Sequence, residues 1–405
     1  MTSTTITEEF DDRTAGRNAI ILATAQAFGG ASAPIVIALG GLAGFYLLGE
    51  DKSLATLPVT AFVVGVALTT IPAAMLMRRI GRRAGFQVGA INPILGGLIA
   101  AYGIMSGQFW LLCLGAAFTG AGNAFVQQYR FAAADSASDS FRPKAISWVL
   151  AGGVVTGIVG PQIVIFTKDA LDPIPLAGAL LAQVAPGAIL IGILAFIRVP
   201  NVKEPVATGG GRPLSQIMAQ PKFIVSVVCA IGSYGLMSFV MTATPLAMVA
   251  CDHSATDATL GIQWHVIAMF APSFFTGSLI ARFGHAKVIS VGLALLAGCS
   301  VVALMGITLA HFWFALILLG VGWNFGFIGA TAMLTETYTA EERSRVQGVN
   351  DFLVFGFQAV ASLMSGAILN IFGWSAVNIV TFPIVAICFG MLIWHWVTSN
   401  RSGAA

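Results

Sequence analysis

Gly277-Ser-Leu-Ile-Ala-Arg282-Phe-Gly284-His-Ala-Lys287 follows one long apolar run and precedes another. Ala74-Met-Leu-Met-Arg-Arg79-Ile-Gly81-Arg82-Arg83 holds the matching place earlier in the chain. Aligning Gly81 with Gly284 offsets the sequence against itself by 203 residues, half of its 405. A second echo has the same sense, with Gly120-Ala-Gly122-Asn123 in one half and Gly320-Val-Gly322-Trp-Asn324 in the other. The chain is written twice.

Composition says where the two copies reside. Hydrophobic residues make up 57% of the chain and charged residues 9%. A soluble domain carries about a quarter charged residues, so this chain belongs in a bilayer. Its 46 glycines suit membrane helices, whose backbones approach through small side chains. A formal net charge of +3 is too small to argue for nucleic acid. The five cysteines lie mostly in apolar runs without a CxxC, against both a disulfide scaffold and a zinc module. Residues 1–17 are polar and acidic, with no apolar core or cleavage site of a signal peptide.

A helix crosses the hydrocarbon core with about 20 apolar residues. Twelve runs meet that need, at about 18–47, 54–77, 84–105, 108–132, 144–167, 174–198, 221–249, 257–281, 286–307, 311–335, 345–372 and 374–398. The expected class is an all-α membrane protein of two six-helix bundles, 18–198 and 221–398. An N-terminal segment 1–17 and a tail 399–405 flank them. Between them, 199–220 contains Gly209-Gly-Gly211 and reads as a flexible linker.

Eighteen of the 20 Lys and Arg residues fall on one side of this topology, with Lys52 and Lys168 alone on the other. Cytoplasmic loops collect the positive charge, so both termini and the linker are expected in the cytoplasm. Two parallel six-helix repeats are the expected build of a rocker-type secondary transporter.

The Gly-x-Leu-x-x-Arg-x-Gly-x-x-Lys segment at 277–287 resembles the loop signature of the major facilitator superfamily, and 74–83 is a weaker copy. The resemblance extends over the whole chain through helix count, linker and repeat. It implies gating roles for Arg79, Gly81, Arg82, Gly277, Arg282 and Gly284. The acidic residue usual in this loop is Arg78 in one copy and Ala281 in the other, which weakens the latch the family forms there. Ala116 stands where drug–proton exchangers place an arginine, and Gly157-Ile-Val-Gly160-Pro161 matches the antiporter motif only in part. A multidrug antiporter is disfavoured.

Two ligand pairs stand out inside the apolar runs. Met237 and Met241 lie four residues apart in run 7, and His265 and Met269 four apart in run 8. Residues i and i+4 share a helix face. Counted from the outer ends, Met241 and His265 lie at one depth and Met237 and Met269 at another, about 6 Å deeper at a rise of about 1.5 Å per residue. Thioether and imidazole ligands without carboxylate suit Cu(I). Methionine is equally an ordinary gap filler, whereas an ionisable residue inside a membrane is a functional candidate by default. Cys229, Ser233, Met237 and Met241 follow at four-residue steps, and Cys251 stands at the outer mouth. The two cysteines are candidate relay thiols or inert buried residues.

The joint Met-x3-Met and His-x3-Met pattern resembles the CcoA-type copper importers of the superfamily, a branch that also contains riboflavin transporters. That resemblance implies copper as transported substrate, with Met237, Met241, His265 and Met269 as the contacting set and no permanently bound cofactor. It further implies a bacterial inner membrane location, a copper-accepting partner in the cytoplasm and a supply line to cytochrome oxidase.

Other embedded polar groups include Gln26, Asn123, Gln127 and Asn324, candidates to line a cavity or to bond neighbouring helices. Trp264, Trp323 and Phe325 are candidates to stack a flavin ring or to fill the core. Asp351 lies near Arg343 and Arg345 and is expected at an inner gate. No nucleophile–base arrangement and no Gly-x4-Gly-Lys phosphate loop occurs, against an enzyme or an ATP-driven pump. The expected function is copper import by alternating access. The alternatives are uptake of riboflavin or another small organic solute, and a transporter-shaped sensor or assembly factor.

Overall fold

The computed structural model describes residues 12–135, 137–138, 141–198, 211–339 and 341–402, all helix, turn or coil without a strand. Lys203, Gly209, Gly210, the start of the N-terminal segment and the end of the tail lie outside the described residues.

The helices are α1 (Asp12–Leu47), α2 (Leu57–Ile80), α3 (Arg82–Met105), α4 (Phe109–Ala134), α5 (Lys144–Thr167) and α6 (Ala177–Leu194) in the first half. The second half holds α7 (Pro221–Ala250), α8 (Ala255–Phe270 and Ser273–Phe283), α9 (His285–Met305) and α10 (Leu309–Thr335). It closes with α11 (Arg343–Ile379) and α12 (Thr381–Ser402). By length and hydropathy ten stretches among the described residues qualify as spans, and the bent α8 makes eleven. One of these, Arg345–Thr398, has 54 residues, roughly 80 Å if straight against a hydrocarbon core of about 30 Å. Gly373, at φ 77° and ψ −178°, breaks it into two crossings, giving the twelve expected from the sequence.

The repeat read in the sequence is a repeat of backbone geometry. Gly81 adopts φ 86° and ψ 156°, and Gly284 adopts φ 83° and ψ 158°. This region is open essentially to glycine alone. Each glycine N–H donates to the carbonyl four residues back, Met77 at 3.0 Å and Ile280 at 2.8 Å. The chain thus ends one helix and starts the next without leaving that donor bare.

The second echo has a packing meaning. A Cβ on Gly120 would lie 2.0 Å from the Phe62 carbonyl oxygen of α2, and one on Gly320 2.6 Å from the His265 carbonyl oxygen of α8. Gly122 and Gly322 turn instead to α3 and α9, against Pro93 and the Gly292 carbonyl. In both halves the fourth helix therefore sits on the second and third through paired glycines. Such contact drives association where lipid supplies no hydrophobic push between helices.

Several helix pairs join the halves, α2 with α11, α5 with α8 and α1 with α7 among them. Thr56, at the N-cap of α2, and Thr60 of α2 donate to Ser362 of α11, both at 3.2 Å. Gln162 Nε2 of α5 donates to Gln263 Oε1 of α8 at 2.8 Å. Gly41 of α1 faces Leu246 of α7. These contacts lie toward the end that lacks basic loops.

At the basic end, charge pairs hold the second half together. Arg212, where the linker re-enters the fold, donates through Nε and Nη2 to Glu342 at 2.9 and 2.7 Å, and through Nη2 to the Thr337 carbonyl. These bonds keep the Glu342 carboxyl well below the usual carboxylate range, so it stays ionised. Lys222, which donates to Glu336, and His285, at 3.6 Å from it, lower the Glu336 carboxyl in the same way. Glu336 thus supplies an acidic partner beside the second basic loop, where Ala281 offers none.

Replacing Gly284 or Gly81 by alanine is expected to cost about 1–3 kcal/mol each, from backbone strain. Gly277→Ala, at a helical site where a Cβ meets open space, is expected to be neutral or stabilising by up to about 1 kcal/mol. Thermal unfolding of the purified protein followed by size-exclusion fluorescence checks both. Equal Tm losses at positions 277 and 284 would contradict the assignment.

Candidate functional site

The four ligand candidates are buried, but their surroundings differ from a simple α7–α8 pairing. Met237, Met241 and Met269 belong to one large apolar cluster that runs through helices of both halves. His265 is fully buried, and its Nδ1 lies 2.9 Å from the Leu316 carbonyl oxygen of α10. A carbonyl only accepts, so Nδ1 carries the proton and Nε2 is left with a bare lone pair. No hydrogen-bond partner meets that Nε2. His265 is thus oriented by α10, a neighbour that the spacing did not identify.

The four-residue stripe on α7 does not stay on one face. Each step of four drifts about 40° on a helix of 3.6 residues per turn, so Cys229 and Met241 end about 120° apart. Cys229 Sγ contacts the Cys388 carbonyl of α12 at 3.9 Å, and Ser233 lies against Gly326 of α10. Cys229 therefore leaves the methionine face. Cys251 follows the last turn of α7, and burial together with Asp252 pushes its thiol up, away from the thiolate that captures metal.

Of the two roles expected for Asn324, the cavity role is corrected and the helix-bonding role is the one observed: it is fully buried and bonded to α8. Pro272 breaks α8 there, with a bend of 43° between its two parts. Asn324 Nδ2 donates to the Met269 carbonyl and to Ser273 Oγ, both at 2.7 Å, and Thr276 Oγ1 donates to Asn324 Oδ1 at 2.6 Å. The amide satisfies the carbonyl freed by the bend. It pins the broken helix and does not face a cavity.

Trp264 lies on the open side of α8. It is 41% exposed and projects from the side of α8 opposite Ile262, Val266 and Met269, which are buried. Phe325 pairs with Phe275 at 6.3 Å and lies apart from the rings described next.

A different set of aromatic residues comes together. Tyr234 of α7 meets Trp323 and Phe327 of α10 and Phe355 of α11, with ring centroids at 5.4, 4.9 and 5.8 Å, all edge-on. Trp323 and Phe327 stack at 5.4 Å with 16° between planes. Trp323 Nε1 is buried without an acceptor. Only Trp323 was a candidate from sequence. The other three rings are separated from it by up to 89 positions, and nothing in the spacing joins them.

The charged neighbour of this wall comes from the other half. Arg130 of α4 is in electrostatic range of both Asp351 of α11 and Tyr234. Asn350 Nδ2 donates to Asp351 Oδ1 at 3.1 Å. Beside the Arg343 and Arg345 expected near Asp351, Arg130 approaches it from the other half. Arg79, Arg282 and Arg343 stand exposed on the basic surface, and the Arg282 guanidinium lies 5.2 Å from the Phe283 ring as a cation–π contact. Arg82 is half-buried.

One face of α11 shows how the halves are arranged around this site. Ser362 and Gly366 on that face touch α2. Asp351 and Phe352, about three to four turns nearer the basic end, are exposed, Phe352 at 78%. Gln127 and Arg130 are exposed on the facing α4, while Gln26 and Asn123 are half-buried. The halves close at the end without basic loops and part toward the basic end.

Two pseudo-repeated bundles around a cleft open at one end define a multi-pass secondary transporter, not an enzyme. The chain belongs to the major facilitator superfamily. The family model described as Major Facilitator Superfamily matches residues 226–404. The "Riboflavin transporter RfnT" of Brucella anthropi is 50% identical over 95% of this chain and 96% of its own. The "Uncharacterized MFS-type transporter YddS" of Bacillus subtilis is 28% identical over 93% of this chain and 90% of its own. Among solved structures, the nucleoside transporter NupG superposes with a TM-score of 0.72 at 11% identity, covering 94% of this chain and all but 1% of that one (99%). A bacterial homologue of the human lysosomal transporter Spinster, in an inward-facing and unoccupied conformation, gives 0.68 at 14% identity, over 94% and 97%. The relative that resembles this chain at 50% identity carries a riboflavin name, and neither copper import nor a supply line to cytochrome oxidase finds support among these proteins.

Asn324→Ala is expected to lower stability by about 1–3 kcal/mol, because it leaves buried partners unsatisfied, with substrate KM unchanged in the protein that folds. Thermal unfolding combined with uptake kinetics reads the two effects separately. A raised KM at unchanged Tm would place Asn324 on the substrate path instead.

Proposed function

We propose that this chain imports riboflavin, or a solute with the same fused-ring chemistry, by alternating access. The carrying observation is the Tyr234–Trp323–Phe327–Phe355 wall beside Arg130 and Asp351. An isoalloxazine is a flat apolar ring system with an imide edge and a polyol tail. The aromatic edges and faces suit the rings, the guanidinium suits carbonyl oxygens, and the carboxylate suits hydroxyl or imide donors. Gln127 and Asn123 add amides from the first half. The 50% identity to a riboflavin transporter supports the same reading. Charge placement supports a bacterial inner membrane, with both termini and the open end of the cleft in the cytoplasm.

Uptake of radiolabelled riboflavin into auxotrophic cells tests this. Tyr234→Ala is expected to weaken uptake affinity roughly 2- to 12-fold, and Arg130→Gln roughly 10- to 150-fold, with surface expression unchanged. Riboflavin uptake equal to that of empty cells overturns the reading.

A second reading stands on one observation. The bare Nε2 of fully buried His265 and the buried thioethers of Met237, Met241 and Met269 are donor types that suit Cu(I) as transported substrate. Copper accumulation that falls to background in His265→Ala while riboflavin uptake stays whole favours this reading. Binding of either solute to reconstituted protein without flux favours a sensor.

A further inference from the structure

A groove of about 970 Å³ runs along the outer side of the first half, between α1, the start of α5 and α6. Arg13 and Arg17 line its mouth at the basic end, and Ile20, Ile189 and Phe196 line its body. These three apolar side chains are 57%, 46% and 64% exposed, so the groove opens sideways onto the surface that faces lipid tails. Phe141 and Trp148 pack edge-on at 5.7 Å along its wall, and the Lys144 ammonium sits 5.5 Å from the Trp148 ring. Asp12 also lines the mouth, and its carboxylate accepts from Ser138 N and Oγ at 3.1 and 2.9 Å. Gly192 keeps the body open, since a Cβ there would meet nothing within 4 Å.

We propose that this groove is a binding site for an anionic phospholipid. The phosphate lies at Arg13 and Arg17, and an acyl chain lies along Ile20, Ile189 and Phe196. Two features select this occupant together. The cations stand where the headgroup layer meets the apolar belt, and basic pockets between membrane helices on that side hold anionic headgroups. The body is apolar and open to the bilayer, so the occupant arrives sideways and carries a chain, which a free phosphate does not. Aromatic rings under an ammonium at the same level match the interfacial belt of membrane proteins. The site lies outside the cleft between the halves, and the proposal does not depend on which solute is carried.

Native mass spectrometry of the purified protein, titrated with phosphatidylglycerol or phosphatidylcholine, tests it. The expected result is a one-to-one adduct that strongly prefers phosphatidylglycerol. The double variant Arg13→Gln/Arg17→Gln is expected to weaken that adduct roughly 30-fold. Gly192→Leu leaves both charges in place, fills the groove and is expected to abolish the adduct. Equal binding of the two lipids, or wild-type affinity in both variants, overturns the proposal. A measurement on the unaltered protein guards against misfolded variants. Phosphatidylglycerol with a photoactivatable chain is expected to crosslink within 16–24 and 189–196, and an even spread of crosslinks around the bundle overturns the assignment.

Discussion

The close approach of backbones at paired glycines is what the rest of this molecule depends on. Lipid tails are as apolar as leucine, so helices gain little by hiding apolar faces from them. They associate instead where small residues let surfaces meet. Gly120 on the Phe62 carbonyl and Gly320 on the His265 carbonyl set the fourth helix of each half against the second. Gly122 and Gly322 set the same helices against the third. A side chain at any of these points would wedge the layer apart. Because the same pair of contacts recurs in both halves, the halves have matching shapes and can rock against each other as units.

That packing decides the chemistry of the second half. With α10 pressed onto α8, the Leu316 carbonyl reaches His265, and the Asn324 amide reaches the carbonyl freed by the Pro272 bend. In hydrocarbon an unsatisfied backbone group costs several kcal/mol, so a broken helix requires such a partner. His265 is turned by the same neighbour so that one nitrogen is occupied and the other is bare. A polar residue buried in a membrane thus either has its groups spent on structure or keeps a bare atom, and these two residues, one turn of α8 apart in their contacts, exemplify each case.

The cleft shows the complementary logic. Its C-terminal wall is aromatic and comes from α7, α10 and α11. Its cation comes from α4 of the other half, opposite Asp351. A solute that touches both walls senses the relative position of the halves, which alternating access requires. The threonine–serine and glutamine seams at the opposite end hold the halves together through neutral hydrogen bonds. Neutral bonds between small polar groups in a membrane are worth about 0.6 kcal/mol on average, so they can break and reform within a transport cycle.

The sequence by itself determined the helix count, the two-half repeat, the basic end of the bundle and the glycines at its tight turns. These follow from length, hydropathy and charge, which act locally and leave a periodic trace. It also singled out His265 and the methionines as unusual, since a titratable group in an apolar run is visible without a fold. It did not determine which neighbour each buried side chain meets. A helical period fixes direction about a helix's own axis, but the partner on that side is chosen by packing between segments far apart in the chain. Hence Asn324 was legible as a polar group but not as the clamp of a bent helix, and Cys229 drifted off the face of Met241. Tyr234, Phe327, Phe355 and Arg130 carried no signal of their own. Only the tertiary structure, by bringing four helices of two halves to one cleft, placed them together.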